Sequence, residues 1–130
     1  MTPHEWRVRV YYENTDFSGR VFHAEYLRFM ERARTEFLRD RGVIHQDLLK
    51  EGLFFVISHM EISFHGSATV DDEIVAKTQL RETTGATVTL EQNLFCENRL
   101  IIQSIVKLAV INRSGRPVRW PSTLKKALSS

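Results

Sequence analysis

The chain has 130 residues, 42% of them hydrophobic and 26% charged, a balance that predicts one globular domain over 1–130 and excludes a disordered polymer. Eighteen basic residues against 16 acidic ones leave a formal charge of +2, too little for a surface that coats nucleic acid, while anionic small molecules remain suitable partners. The start, Met1 to Trp6, carries no apolar leader core, and no apolar run approaches the ~20 residues of a membrane span, so a soluble cytoplasmic protein with no integral membrane segment is expected.

Trp6, Val8, Val10 and Tyr12 alternate with Arg7, Arg9, Tyr11 and Glu13, which predicts a half-buried strand ending near Asn14. Asn14 to Arg20 is rich in turn formers and reads as a loop, with Gly19 free to take a conformation closed to other residues. From Phe22 to Arg41 there is neither Gly nor Pro, and Phe22, Tyr26, Phe29, Met30, Ala33 and Phe37 fall on one stripe of a helix. Gly42 stops that helix, and Arg39 and Arg41 suit its negative end. A short helical turn over His45 to Glu51 follows, closed by Gly52.

Four strand segments come next: Phe54 to Phe64, Glu73 to Thr83, Thr87 to Phe95 and Leu100 to Ile111, close enough together for antiparallel hairpins. The last is apolar on both faces, as in a sheet interior or a subunit interface. Asn112 to Pro121 reads as irregular, and Pro121 opens a terminal helix through Leu128. The order predicts an α+β fold of one long helix wrapped by an antiparallel sheet of about five strands, because the helix stripe and one sheet face bury each other.

Chemistry concentrates where the loop feeds the long helix. A helix start leaves backbone N–H groups without intrahelical partners, which a Ser, Thr, Asp or Asn at the cap ordinarily satisfies. Phe22 and His23 occupy that region instead, so the donors, with the positive end of the helix dipole, are open to a ligand oxygen in the manner of an oxyanion hole. Asp16 lies upstream through the Gly19 turn, close enough to attack a carbonyl held there or to activate water against it. An Asx-type turn built by Asp16, with His23 an ordinary surface residue, accounts equally well for the same residues.

The run Tyr12-x-x-Thr15-Asp16-x-x-Gly19-x-Val21-Phe22-His23-Ala24-x-Tyr26, continuing into Phe29-Met30-Glu31-Arg32-Ala33-Arg34-Thr35-Glu36, resembles the signature of YbgC-like acyl-CoA thioesterases of the 4-hydroxybenzoyl-CoA thioesterase family. The resemblance is close from Arg7 to Arg39 and holds in length and strand order over the remainder. It implies a hotdog fold assembled as a homodimer or homotetramer, with active sites between subunits. It implies Asp16 and His23 as catalytic residues, the latter through its backbone N–H and also its ring, and it puts Gly19, Val21, Phe22 and Tyr26 at the substrate. Tyr26 also lies on the apolar stripe, which favours a core or pocket-wall place over acid–base work.

The substrate so implied is an acyl-CoA, with coenzyme A part of the substrate and no cofactor required; an acyl carrier protein is a possible partner. The chain departs from the commonest pattern at Asn14, Arg20 and Phe22, none of which removes the carboxylate or the helix donors. Glu31 lies roughly 12 Å along the helix from His23, too far to share its chemistry, and suits an ion pair or an interface. The single cysteine, Cys96, sits in a strand segment as a small buried hydrophobe, and no cluster has metal-ligand spacing. A basic group at Arg113, Arg116, Arg119, Lys125 and Lys126 reads as a solvated tail. Two other readings compete with hydrolysis: a non-catalytic binding module for acyl-CoA or acyl carrier protein, and a hotdog dehydratase of hydroxyacyl thioesters.

Overall fold

The computed structural model describes residues 2–129. The N-terminal strand β1 spans His4–Arg9, shorter than its alternation predicts. Its partner β3 begins only at Glu73, so beyond the pairing that runs from His4↔Thr78 to Arg9↔Glu73 only Val10 still bonds across, its N–H to the Asp72 carbonyl at 2.8 Å and its carbonyl accepting the Asp71 N–H at 2.9 Å. The chain instead curls into a 3-10 turn over Tyr12–Asn14, where the Asn14 side-chain oxygen accepts the Tyr11 N–H at 2.8 Å.

The long helix α1 spans His23–Asp40 and buries Tyr26, Phe29, Met30, Ala33 and Phe37 along the predicted stripe. Each large apolar side chain taken fully out of water contributes about 1.5–3 kcal/mol, so this stripe is a major part of the core. The short helix α2 is His45–Lys50. The strands β2 (Phe54–Phe64), β3 (Glu73–Thr83), β4 (Thr87–Cys96) and β5 (Arg99–Ile111) match the predicted segments within a residue or so. The terminal helix α3 is Ser122–Ser129.

All strand pairs are antiparallel, in the order β1-β3-β4-β5-β2. A sixth strand, the two-residue β6 (Pro117–Val118), pairs with Val110 and Ile111 of β5, so part of the segment expected to be irregular joins the sheet. The concave face carries Val88, Leu90 and Leu94 of β4 with Ile102, Val106 and Leu108 of β5, all buried against α1. This single sheet closed around one helix is the hotdog fold.

On the opposite face of β5, Ile101 and Ala109 are buried, Ile105 is half-buried, and Gln103 and Lys107 are exposed. β1 and β2 are the edges of the sheet. Among the described residues no helix is long and apolar enough to cross a membrane.

One polar network is buried between α1 and the sheet, with Arg34 at its edge also lining a cavity beside β2. The Arg34 guanidinium donates to Gln92 Oε1 at 2.9 Å, and the Gln92 amide donates to the Met30 carbonyl at 3.0 Å and to Thr78 Oγ1 at 3.1 Å. Burial pulls the Arg34 pKa down, since a charge taken from water is disfavoured. Sequence pattern gives no sign of this burial, because an arginine between apolar helix positions reads as surface.

Candidate active site

The loop after the 3-10 turn folds back on itself as a tight hairpin. Thr15 bridges Val21, the Asp16 N–H donates to the Arg20 carbonyl at 3.0 Å, and the Gly19 N–H donates to the Asp16 carbonyl at 3.0 Å. Gly19 has φ +82°, in the left-handed region, and a Cβ placed there would meet nothing within 4 Å. Glycine is therefore used for its backbone freedom rather than for lack of space.

Two further bonds pin the hairpin to the β2–β3 connection. The Val21 N–H donates to the Ala68 carbonyl at 2.9 Å and the Val70 N–H to the Gly19 carbonyl at 3.1 Å. That connection is held in turn by Tyr26, whose buried hydroxyl accepts the Ala68 N–H at 2.9 Å.

Asp16 is exposed and uses one carboxylate oxygen locally. Its Oδ1 accepts both the Ser18 N–H at 2.8 Å and the Ser18 hydroxyl at 2.6 Å, an Asx-type turn. These two bonds, the hydroxyl first, hold the carboxyl below its ordinary pKa, with the Arg20 charge helping. No hydrogen bond reaches Oδ2 among the described residues, so the turn holds the carboxylate through one oxygen and leaves the other without a partner there. The structural and the catalytic readings of Asp16 are therefore compatible.

The helix start has the expected vacancy of side-chain caps. Phe22 is the cap residue, with extended backbone and no side-chain cap bond. The Phe22 N–H is taken by the Asn14 carbonyl at 3.1 Å and the Glu25 N–H by the Phe22 carbonyl at 2.8 Å, whereas the N–H groups of His23 and Ala24 have no acceptor among the described residues. Two adjacent donors at the positive end of an 18-residue helix can together hold one carbonyl oxygen. The hairpin rungs set Asp16 opposite Arg20, three residues before His23, so carboxylate and donors lie on one short segment tied together by backbone bonds.

The other predicted site residues separate into two groups. Phe22 is exposed, and its ring packs on that of His23 at 4.6 Å between centroids; the His23 ring makes no hydrogen bond among the described residues. Val21 and Tyr26 are buried, so both support the hairpin from below rather than lining an open surface. Glu31 is exposed and forms no ion pair among the described residues. Beside it lies a cavity of about 340 Å³ between α1, α2 and β2.

One cluster with metal-ligand atoms lies together where the sequence showed none: Asp72, Cys96 and Glu97, whose ligand atoms are within 4.8 Å of one another. Asp72 there accepts the Thr69 N–H at 2.9 Å, and burial pushes the Cys96 thiol pKa up, so it stands as a protonated thiol. His59 pairs with Glu61 on the surface of β2 at 3.5 Å.

The fold and the comparisons together define a thioester-processing class. Residues 18–102 match the family model of the thioesterase superfamily, and the chain belongs to that family. Within it the likeness is to the YbgC group. The chain is 41% identical over 122 residues to an acyl-CoA thioesterase YbgC of Haemophilus influenzae, covering 92% of this chain and 90% of that protein. It is 34% identical to an acyl-CoA thioesterase YbgC of Helicobacter pylori, covering 95% and 98% respectively. A probable thioesterase of Bartonella henselae superposes with a TM-score of 0.87 at 42% identity, over 92% of this chain and 99% of that one.

Proposed function

We propose that the protein hydrolyses acyl-CoA thioesters to a free carboxylic acid and coenzyme A at the Asp16 hairpin. The observation that supports this reading is the occurrence, on one short segment, of a carboxylate held through Oδ1 with its Oδ2 unbonded and of two open N–H donors at the helix start that follows. The thioester oxygen accepts the N–H groups of His23 and Ala24, which stabilise the negative charge that develops there as the carbonyl carbon becomes tetrahedral. Asp16 Oδ2 either takes a proton from a water that attacks that carbon, so that breaking the C–S bond releases the coenzyme A thiolate and the free acid, or attacks the carbon itself, so that the thiolate leaves a mixed anhydride on Asp16 which water then hydrolyses to the acid and the free carboxylate. The exposed His23 ring adjoins the same point and serves to protonate the thiolate or orient water.

The protein acts as one domain, as a homodimer or homotetramer, in the cytoplasm, with no cofactor beyond the coenzyme A of the substrate; acyl groups on a carrier protein are a second source of the same thioester. Asp16→Asn removes the reacting charge and keeps the shape. It is expected to lower kcat on the order of 10²–10³-fold without changing thermal unfolding or oligomer size. Steady-state hydrolysis beside a thermal melt decides it, and wild-type turnover in the variant would defeat the assignment.

A further inference from the structure

Arg34 is the only charged side chain buried among the described residues, 7% exposed, and hydrolysis at Asp16 makes no use of it. A guanidinium carries five N–H donors and keeps its charge throughout the pH range of folded proteins. One donor is spent on Gln92 Oε1 at 2.9 Å. The ion pairs within α1 are Glu25 with Arg28 and Glu36 with Arg39, and among the described residues no carboxylate pairs with Arg34. Burial lowers its pKa by more than the Glu31 charge restores, so the lost water is not made good within the chain.

The remaining donors are not sealed in protein, because the only fully buried side-chain nitrogen or oxygen without a partner among the described residues is His4 Nδ1. They open on the cavity of about 340 Å³ between α1, α2 and β2, which Arg34 lines. Leu38 of α1, Phe55 and Ile57 of β2 and Leu108 of β5 give that cavity apolar walls. Its other polar groups do not answer the charge. Glu31 is exposed, so water screens it, and the Thr35 hydroxyl donates to the Glu31 carbonyl at 3.1 Å. Partial burial and the Arg39 charge pull the His45 pKa down, which leaves that ring neutral near pH 7.

A buried cation without a counter-charge costs free energy, and an anion that brings an apolar body with it offsets that cost while covering the walls. A carboxylate matches the guanidinium fork. We infer that this cavity is a binding site for a carboxylate borne on an apolar chain, its charge on Arg34 and its chain against Leu38, Phe55 and Leu108. A cavity of about 150 Å³ takes a benzene ring. One of about 340 Å³ suits an acid of on the order of eight to ten carbons. Arg34 follows His23 by eleven residues, about 16 Å along the helix axis, so an acid seated there leaves the His23 and Ala24 donors free.

Two sources carry this chemistry. One is a free acid, the class of molecule that thioester hydrolysis releases. The other is the far end of an ω-carboxyacyl thioester, and only this one needs the thioesterase reading above.

The test has two arms. In titration calorimetry on the full chain, octanoate is expected to bind at least about tenfold more tightly than 1-octanol, since a charge-assisted bond separates them. Arg34→Met keeps the bulk and removes the charge, and should abolish that preference. Equal binding of the two by the wild type, or an unchanged preference in Arg34→Met, overturns the site. Should Arg34→Met fold poorly, Ile57→Phe narrows the cavity and leaves the Gln92 bond in place; undiminished octanoate binding there overturns the site too. Asp16→Asn is expected to bind octanoate as the wild type does, and a loss would place the acid at Asp16 instead.

The second arm compares kcat/KM for dodecanoyl-CoA and its ω-carboxy counterpart. A preference for the ω-carboxy thioester that vanishes in Arg34→Met assigns the site to the substrate tail. Equal values beside intact octanoate binding assign it to the free acid. A wild type that hydrolyses neither thioester would strike the thioesterase reading and leave the calorimetric result standing.

Discussion

The two flanks of α1 are finished to different degrees. On the flank against β3, β4 and β5, Phe29, Met30, Ala33 and Phe37 are sealed, and the buried Arg34, Gln92, Thr78 and Ser104 all find partners. On the flank toward β2 and at the Asp16 hairpin, a carboxylate oxygen and two N–H donors stand open, Phe17 is fully exposed and a cavity is unfilled. Buried polar groups cost free energy unless they are bonded, so a core closes every bond it contains, whereas a site that must bind a transient charge keeps bonds in reserve. The contrast locates function by what the fold leaves undone.

The contrast breaks most strongly in the core. Phe29→Ala is expected to cost about 3–5 kcal/mol of stability in urea denaturation, while the kcat of the molecules that remain folded changes little. An equal fall in kcat without loss of stability would mean that the inner flank also serves the reaction.

Tyr26 bridges the two regions and should show an intermediate effect. Tyr26→Phe keeps the packing but strands the Ala68 N–H, at a cost of about 1–3 kcal/mol, and loosens the connection that holds Val21 and Gly19. Denaturation and kcat measured together should both fall, and a loss confined to stability would detach Tyr26 from the site.

The smallest expected effect is the most specific. Ser18→Ala removes the bond that contributes most to holding the Asp16 carboxyl low, so the acid limb of the kcat/KM profile should move to higher pH, toward the ordinary carboxylate value. The sign follows from a depressed pKa: the charged form is favoured above it and lost as pH falls through it, so weaker hydrogen bonding makes that loss begin at higher pH. An acid limb that does not move would mean that a group other than Asp16 sets it.

Much of this was legible in the chain. The helix period between Phe22 and Arg41 and the breaks at Gly66, Asp71-Asp72, Gly85 and Glu97 to Arg99 are local signals, and the elements follow them to within a residue or two. The strand order was less so: β1 pairs with β3 and β2 with β5, across intervals that no local pattern spans. The shortened β1 has the same origin, since alternation continues to Tyr12 but the partner strand does not.

Within the site, the motif pointed to Asp16, Gly19 and His23 while leaving turn and catalysis as alternatives for Asp16. Geometry reconciles them, because a carboxylate has two oxygens and Ser18 takes only one. Val21 and Tyr26 share the motif yet are buried, because a run of motif residues does not say which of them face solvent.

The sequence by itself determined the long helix and the four main strand segments, the uncapped helix start and the presence of a carboxylate next to it, since each depends on neighbours within a few residues. Only the tertiary structure decided that Arg34 is buried on Gln92, that Tyr26 holds the Ala68 N–H, and that β2 is an open edge beside a cavity. Those depend on contacts between residues distant along the chain, whose bonds exist only once the sheet has closed around the helix.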